Sequence, residues 1–321
     1  MVINMEDVQV SIICNAFNHE AYIRDTMEGF VMQKTTFPFE VLVHDDASTD
    51  HTADIIREYE VKYPQIIKPI YETENQYSKQ DGSLRRIQYG RVRGKYIALC
   101  EGDDYWTDPF KLQKQFDALE AHPEIDICAT TAAVEIGGQI VRETAPAQED
   151  TIFTPEEVIE GGGGFVATVS LMYRTRIRKE PLPFFQITSL DYCTQILGSL
   201  RGGMLYLADS TCVYRFLNPG SWTVQLASDI ERENRFRQKL CRILRCLDAD
   251  TAGKYHDTIT RVIRRHEFDT FKSRNDYRSM CLPEYRDLLR EISFFKRAAV
   301  RFGCVCPAAV DLAQNIRQRF Q

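Results

Sequence analysis

Short apolar runs alternate with helical periodicities along the first 120 or so residues. Val8 to Cys14 is a run of strand type, and Glu20 to Gln33 then places Tyr22, Ile23, Met27, Phe30 and Val31 at helical spacing. Phe39 to Val43 predicts a second strand, and Ser48-Thr49-Asp50 offers N-caps for a helix through Glu60. Ile66 to Tyr71 reads as a third strand, Glu72 to Arg86 as a polar loop, and Arg91 to Cys100 as the approach to a fourth strand. Pro109 opens a helix carrying Leu112, Phe116 and Leu119, which His122-Pro123 ends. Such β–α alternation predicts a parallel, doubly wound sheet.

The second part of the chain is less regular. Ile125 to Val141 reads as a strand pair turned at Gly137-Gly138, Thr151 to Glu160 as a helix, and Phe165 to Tyr173 and Met204 to Tyr214 as strands. A helix is expected around Asp191 to Leu200, and from about Ala227 the pattern is helical, with breaks near Gly253, Pro283 and Pro307.

Chemistry enters at the strand ends. Asp45 and Asp46 follow Val41-Leu42-Val43, and Glu101, Asp103 and Asp104 follow Tyr96 to Cys100. Ligands of open α/β sheets bind beyond the carboxyl ends of the strands. Two acidic turns at two such ends converge on one crevice, and they repel unless a cation or hydrogen-bond donors lie between them. A divalent metal carrying a diphosphate answers that need with one or two protein carboxylates plus waters. The EGDDYW turn taken alone equally suits an acidic helix N-cap region, and the second acidic turn at Asp45-Asp46 shifts the balance. No Walker sequence or well-placed G-x-G-x-x-G occurs, and Gly161 to Gly164 suit a mobile loop better than a phosphate cradle.

Composition bounds the rest. The 321 residues are 44% hydrophobic and 27% charged, with a formal net charge of -6, which argues against nucleic acid as a partner. From residue 230 onward Lys+Arg exceed Asp+Glu by about eight, so the tail is basic and the rest acidic. A basic tail suits either a solvated face or contact with anionic head groups. The ten cysteines form no C-x-x-C pair, the opening MVINMEDVQVSII has no basic leader, and no apolar run approaches membrane-spanning length. A cytoplasmic location is expected, with the inner face of the cell membrane as an alternative.

Three segments in order, VSIICNAFNHEAYI, FEVLVHDDASTDHTADII and GKYIALCEGDDYWTDPFKLQKQ, resemble the inverting, metal-dependent GT-A glycosyltransferases of family two, whose motifs run VSIIIPTYN, VVDDGSTDGT and a D-x-D turn. The resemblance covers roughly residues 8 to 225. It implies an α/β fold, a Rossmann-like mixed sheet flanked by helices, with a C-terminal helical extension. The implied division is a catalytic domain over 1–226, with a nucleotide-binding half to about 122 and an acceptor-binding half from about 123, then a helical basic region over 227–321.

By that resemblance Asn15, Ala16, Phe17, Glu20, Asp46, Glu101 and Gly102 line the nucleotide site, with Phe17 on the base, Asp46 on the pyrimidine edge and Glu101 near the ribose. Asp103 is the ligand for Mn²⁺ or Mg²⁺, and Asp191 is the base that deprotonates the acceptor. Asp104, Arg91, Arg215, Ser221 and Trp222 are candidate diphosphate or acceptor contacts. Asn15 replaces the usual Pro, Glu101 the first Asp of the D-x-D turn, and Leu190 the Glu of a commoner acidic pair. The implied reaction moves a sugar from a nucleotide donor, UDP first among them, to a hydroxyl of a glycan or lipid-linked acceptor in bacterial surface-polysaccharide synthesis. Contact of the tail with a membrane surface or with a second copy is a further expectation. Two other readings stay open: a non-catalytic nucleotide-sugar-binding protein, and a sugar-phosphate nucleotidyltransferase, which would want a Gly-rich basic loop after the first strand.

Overall fold

The computed structural model describes residues 7–179, 181–186, 190–218 and 222–305. The chain forms two compact units, 1–221 and 222–321.

The first unit is built on one sheet. Its strands are β1 (Val10–Ala16), β2 (Phe39–Asp45), β3 (Ile70–Tyr71), β4 (Tyr96–Leu99), β5 (Tyr105–Trp106), β6 (Ile127–Ile136), β7 (Gln139–Thr144), β8 (Thr151–Phe153), β9 (Met172–Arg174) and β10 (Met204–Arg215). The order is β3-β2-β1-β4-β9-β6-β10-β5, with β7 on β6 and β8 on β10. β3, β2, β1 and β4 are mutually parallel; β9 runs antiparallel to both β4 and β6. The parallel expectation for the first part of the chain holds for these four strands, β10 is also parallel to β6, and the sheet as a whole is mixed, as the resemblance implied.

All seven residues of β2 are buried, as expected of a strand covered on both faces. Its one internal acid, Glu40, is neutralised in place: Arg93 donates through Nε (2.9 Å) and Nη2 (2.6 Å), and the Ser11 hydroxyl adds a 2.7 Å bond. Helices α1 (Ile23–Val31), α2 (Thr52–Lys62), α3 (Ser83–Gly90), α4 (Lys111–Ala121), α5 (Pro155–Gly161), α6 (Pro183–Gln186) and α7 (Asp191–Ser199) complete the unit. α1 buries Ile23, Met27 and Phe30, spaced i, i+4, i+7, in the core shared with Val10, Ile12, Val41 and Trp106.

Four expectations are corrected. The third strand pairs only over Ile70–Tyr71, with one further bridge from Ile67 to Val41. The expected polar loop contains α3, whose Gln88 turns inward and is buried. The expected strand from Phe165 shrinks to β9. A 3₁₀ turn over Thr168–Ser170, closed by the Ser170 hydroxyl on the Ala167 carbonyl (2.7 Å), takes the backbone that a longer strand would need. Thr151 to Phe153 is also strand; the helix begins at Pro155 behind a capping box of Thr154 and Glu157.

The second unit is helical: α8 (Trp222–Ala227), α9 (Ile230–Asp250), α10 (His256–Ser273), α11 (Tyr277–Met280), α12 (Arg286–Glu291) and α13 (Phe294–Val305). Asp229 caps α9, accepting from Glu231 and Arg232 N–H at 2.9 and 3.1 Å. Leu240, Ile243, Leu244 and Leu247 of α9 and Ile259, Val262 and Ile263 of α10 are buried as the two helices pack together. Phe268, Met280, Tyr285, Leu288, Leu289 and Val300 form a second small core. Among the described residues no helix is long and apolar enough to cross a membrane.

Candidate active site

The end of β1 ties both acidic turns together. Asp46 N–H donates to the Ala16 carbonyl (2.9 Å), Cys100 N–H to Ile13 (3.1 Å) and Gly102 N–H to Asn15 (2.8 Å). Parallel pairing of β1 with β2 and with β4 sets the three carboxyl ends side by side, so the two acidic turns stand at adjacent strand ends.

Glu101 is gripped by Asn15. The Asn15 backbone N–H donates to Oε2 (3.2 Å) and its side-chain amide to Oε1 (3.3 Å). Gln88 in turn donates to Asn15 Oδ1 (3.1 Å) and to the carbonyls of Cys14 and Leu42 (both 3.0 Å), which fixes the orientation of the amide. Burial pushes the Glu101 carboxyl up to about 8; the charges of Asp191 and Asp103 push the same way, and the Asn15 bonds oppose them. The base candidate and the metal candidate thus act on one carboxyl, although they lie in different halves of the unit.

Asp103 has a carboxylate with no hydrogen bond or ion pair to a described residue, while its carbonyl accepts from Arg215 Nη1 (3.0 Å). No cluster of three or more His, Cys, Asp or Glu side chains suited to a metal occurs among the described residues. A single uncommitted carboxylate fits a Mg²⁺ or Mn²⁺ site whose remaining ligands are phosphate oxygens and water. Asp104 is buried instead; its Oδ1 accepts the Arg215 N–H (2.8 Å), and burial, then the Asp103 charge, raises its carboxyl.

Arg215 and Arg91 have tasks the sequence did not disclose. The Arg215 guanidinium is spent on Asp25, on Glu135 Oε1 (3.1 Å) and on the Asp103 carbonyl, and lies over the Tyr105 ring at 4.3 Å. It braces the acidic turn with three of its five N–H donors. Arg91 donates to the Lys68 carbonyl and to Gln88 Oε1 (3.3 Å), tying α3 to the neighbouring backbone. Ser221 and the Trp222 side chain lie outside the described residues.

On the nucleotide side Phe17 stands 45% exposed just past β1, and Ala16 before it is buried. Asp46 accepts the N–H groups of Gln76 (2.6 Å) and Tyr77 (3.0 Å), which anchors the loop before α3 and leaves further lone pairs on each oxygen. Glu20 takes the His51 N–H (3.0 Å) at the start of α2. Asp45, outside the predicted set, accepts from Ser48 N–H through Oδ2 (3.3 Å), but its Oδ1 is buried with no partner among the described residues. Burial raises its carboxyl. The doubled Asp in HDDAST was the signal for it.

Asp191 opens α7, where the helix N-terminus favours an anion. Thr168, delivered by the 3₁₀ turn, donates to Oδ2 (2.7 Å). Asp191 is exposed to solvent, yet the protein around it raises its carboxyl by desolvation, opposed by Thr168 and the Arg178 charge. Arg178 escaped the sequence reading. Its guanidinium lies 3.6 Å from the Tyr89 ring centroid and donates to the hydroxyls of Tyr89 (2.6 Å), Tyr173 (3.1 Å) and Thr194 (3.4 Å). It joins α3, β9 and α7 beside the base, and nothing in RTRIRKE announces this.

Comparison with known proteins agrees with this geometry. The family model described as Glycosyl transferase family 2 matches residues 11–179. An uncharacterized protein of Mycobacterium tuberculosis is 35% identical over 214 residues, 66% of this chain and 60% of that protein. The chain therefore spans about three fifths of the length of such relatives. An Escherichia coli protein named UDP-Glc:alpha-D-GlcNAc-diphosphoundecaprenol beta-1,3-glucosyltransferase is 35% identical over 111 residues, 35% of this chain and 41% of that one. Among solved structures, S. aureus TarS 1–349 in complex with UDP-GlcNAc matches with a TM-score of 0.62 at 17% identity, over 86% of this chain and 77% of that one. The Pyrobaculum calidifontis mannosyltransferase PcManGT in complex with GDP-Man and Mn²⁺ matches with a TM-score of 0.55 at 15% identity, over 97% and 83%. These likenesses speak for the fold, which is GT-A with added C-terminal helices.

Proposed function

Because the chain belongs to glycosyl transferase family 2, we propose that it is a metal-dependent, inverting glycosyltransferase acting on a nucleotide-sugar donor. The observation that carries this reading is the joining of both acidic turns to the end of β1, with Asp103 uncommitted two residues from the Asn15-held Glu101 and Asp191 near enough for its charge to act on that same carboxyl.

Phe17 stacks on the base, and Asp45 and Asp46 serve its polar edge. Glu101, held by Asn15, has lone pairs for a ribose hydroxyl. A Mg²⁺ or Mn²⁺ ion held by Asp103 would supply charge neutralisation to the diphosphate. Asp191 takes the proton of the acceptor hydroxyl. That oxygen attacks the anomeric carbon from the face opposite the diphosphate, the bond from carbon to the phosphate oxygen breaks, and the nucleoside diphosphate departs with configuration inverted.

UDP is the proposed nucleotide, in line with the names of the E. coli relative and the TarS complex; GDP is the competing outcome. The proposed acceptor is a hydroxyl of a glycan or lipid-linked glycan in surface-polysaccharide synthesis, met at the cytoplasmic face of a membrane. A homo-oligomer is compatible with this reading and nucleic acid is no part of it.

The test is a thermal-shift panel of UDP, GDP, dTDP and CDP with and without Mn²⁺, followed by transfer assays. A metal-dependent shift for one nucleotide, abolished in Asp103→Ala, supports the assignment. Shifts that ignore both metal and Asp103→Ala overturn it.

A further inference from the structure

α13 has two apolar faces and needs only one for folding. Val300 is buried in the small core of the second unit, and Gly303 packs so closely on Tyr277 that a Cβ there would fall 2.4 Å from the ring. The other side of the helix faces water. Phe294 is 72% exposed, Phe295 83%, Phe302 58% and Val305 80%. At about 100° per residue these four and the exposed Ala298 and Ala299 fall within one arc of about 140°. No charge interrupts that arc. Arg301 and Lys296, both exposed, stand on its two sides, Arg301 about 20° and Lys296 about 60° beyond its edges, and neither has an ion pair with a described residue. The sequence holds no Asp or Glu from Ile292 to Val310.

Exposed phenylalanines normally scatter; three on one helix face, contiguous with a valine, form a patch that water disfavours. We propose that the outward face of α13 is a docking surface for an anionic lipid bilayer, with Phe294, Phe295 and Phe302 entering the acyl boundary and Lys296 and Arg301 lying among the head groups. The charge pattern selects this occupant. A second copy seated face to face would bring basic borders to basic borders, with no acid on the helix to pair them. An anionic head-group layer supplies the missing charge along both borders at once. The proposal gives a surface and a lipid chemistry to the membrane setting proposed above. It rests on α13 alone, so a failed transfer assay leaves it standing, and a failed vesicle assay leaves the transferase reading standing.

The experiment is co-sedimentation of the full chain with vesicles of phosphatidylcholine, alone or with roughly 30% phosphatidylglycerol. The wild type is expected to pellet with the anionic vesicles. Phe295→Glu with Phe302→Glu should stay in the supernatant. Lys296→Glu with Arg301→Glu should bind at least about tenfold more weakly. Because all four side chains face outward, their thermal melts followed by circular dichroism should match the wild type. Should the double Glu variant fail to fold, Phe295→Trp answers instead, its emission shifting to the blue on anionic vesicles. Wild type left in the supernatant, equal pelleting of the double Glu variant, or a Trp emission indifferent to vesicles overturns the proposal. So does a lipid-free dimer that Phe295→Glu with Phe302→Glu turns into monomer, which would make the face an interface between copies.

Discussion

Asn15 and Glu101 are a matched pair. The family motif has Pro at the first position and Asp at the second; here the longer carboxylate is met by two donors, the Asn15 N–H and the Asn15 amide, at 3.2 and 3.3 Å. A proline could supply neither. The two departures that looked independent in the sequence therefore compensate across the β1–β4 strand ends.

That relation makes a prediction for a double-mutant cycle. Asn15→Pro alone should weaken nucleotide binding, since it leaves the Glu101 carboxyl without its donors. Combined with Glu101→Asp, the family's own pairing, much of the loss should return. A coupling of about 1–2 kcal/mol is expected from hydrogen bonds of this type, read from nucleotide Kd values by calorimetry. Strict additivity would separate the two residues.

The state of Glu101 sets a pH dependence of stability. Its carboxyl sits at about 8 in the folded chain, against about 4.5 when exposed. A group with a raised folded value binds more protons when folded, so its contribution is fully present below the unfolded value and is lost as pH rises through the folded one. The metal-free protein should lose Tm between about pH 5 and pH 8, and Glu101→Gln should flatten that slope. An identical slope in the variant would assign the pH dependence elsewhere.

Asp191 should separate chemistry from binding. Asp191→Asn is expected to lower kcat by about 10²–10⁴-fold while nucleotide Kd and Tm stay near wild type. Because desolvation by the surrounding protein raises the Asp191 carboxyl, the acidic limb of kcat/KM should lie above the ordinary carboxylate range, with activity rising as the group loses its proton.

Arg215 should report as a structural residue. Arg215→Ala removes the partner of Glu135 and Asp25 and the brace on the Asp103 carbonyl, which predicts a stability loss of about 2–3 kcal/mol in urea titration. A variant with normal stability and a raised donor KM would make it a phosphate ligand after all.

Gly102 tests how tightly the acidic turn is packed. A Cβ there would meet His19 Nδ1 at 2.8 Å, Ala16 Cβ at 3.0 Å and the Asn15 carbonyl at 3.1 Å. Gly102→Ala should shift the turn against β1 and cut kcat/KM by at least about tenfold, because catalytic geometry tolerates little displacement. Unchanged kinetics would show that His19 yields freely.

Local pattern determined the elements whose signals are local. Apolar runs bounded by turn residues gave β1, β2, β4 and β10, and helical spacing gave α1, α4 and the long helices of the second unit, because side-chain periodicity is a property of consecutive residues. The position of Asp45, Asp46, Glu101 and Asp103 at strand ends was legible for the same reason. Only the tertiary structure decided which strands shorten and which polar groups are spent. β9 is three residues long because the Thr168 turn competes for its backbone, and that turn carries the hydroxyl that meets Asp191. Arg215, Arg91 and Arg178 look alike in the sequence. Their partners lie on strands and helices remote along the chain, so only their packing tells a brace from a ligand.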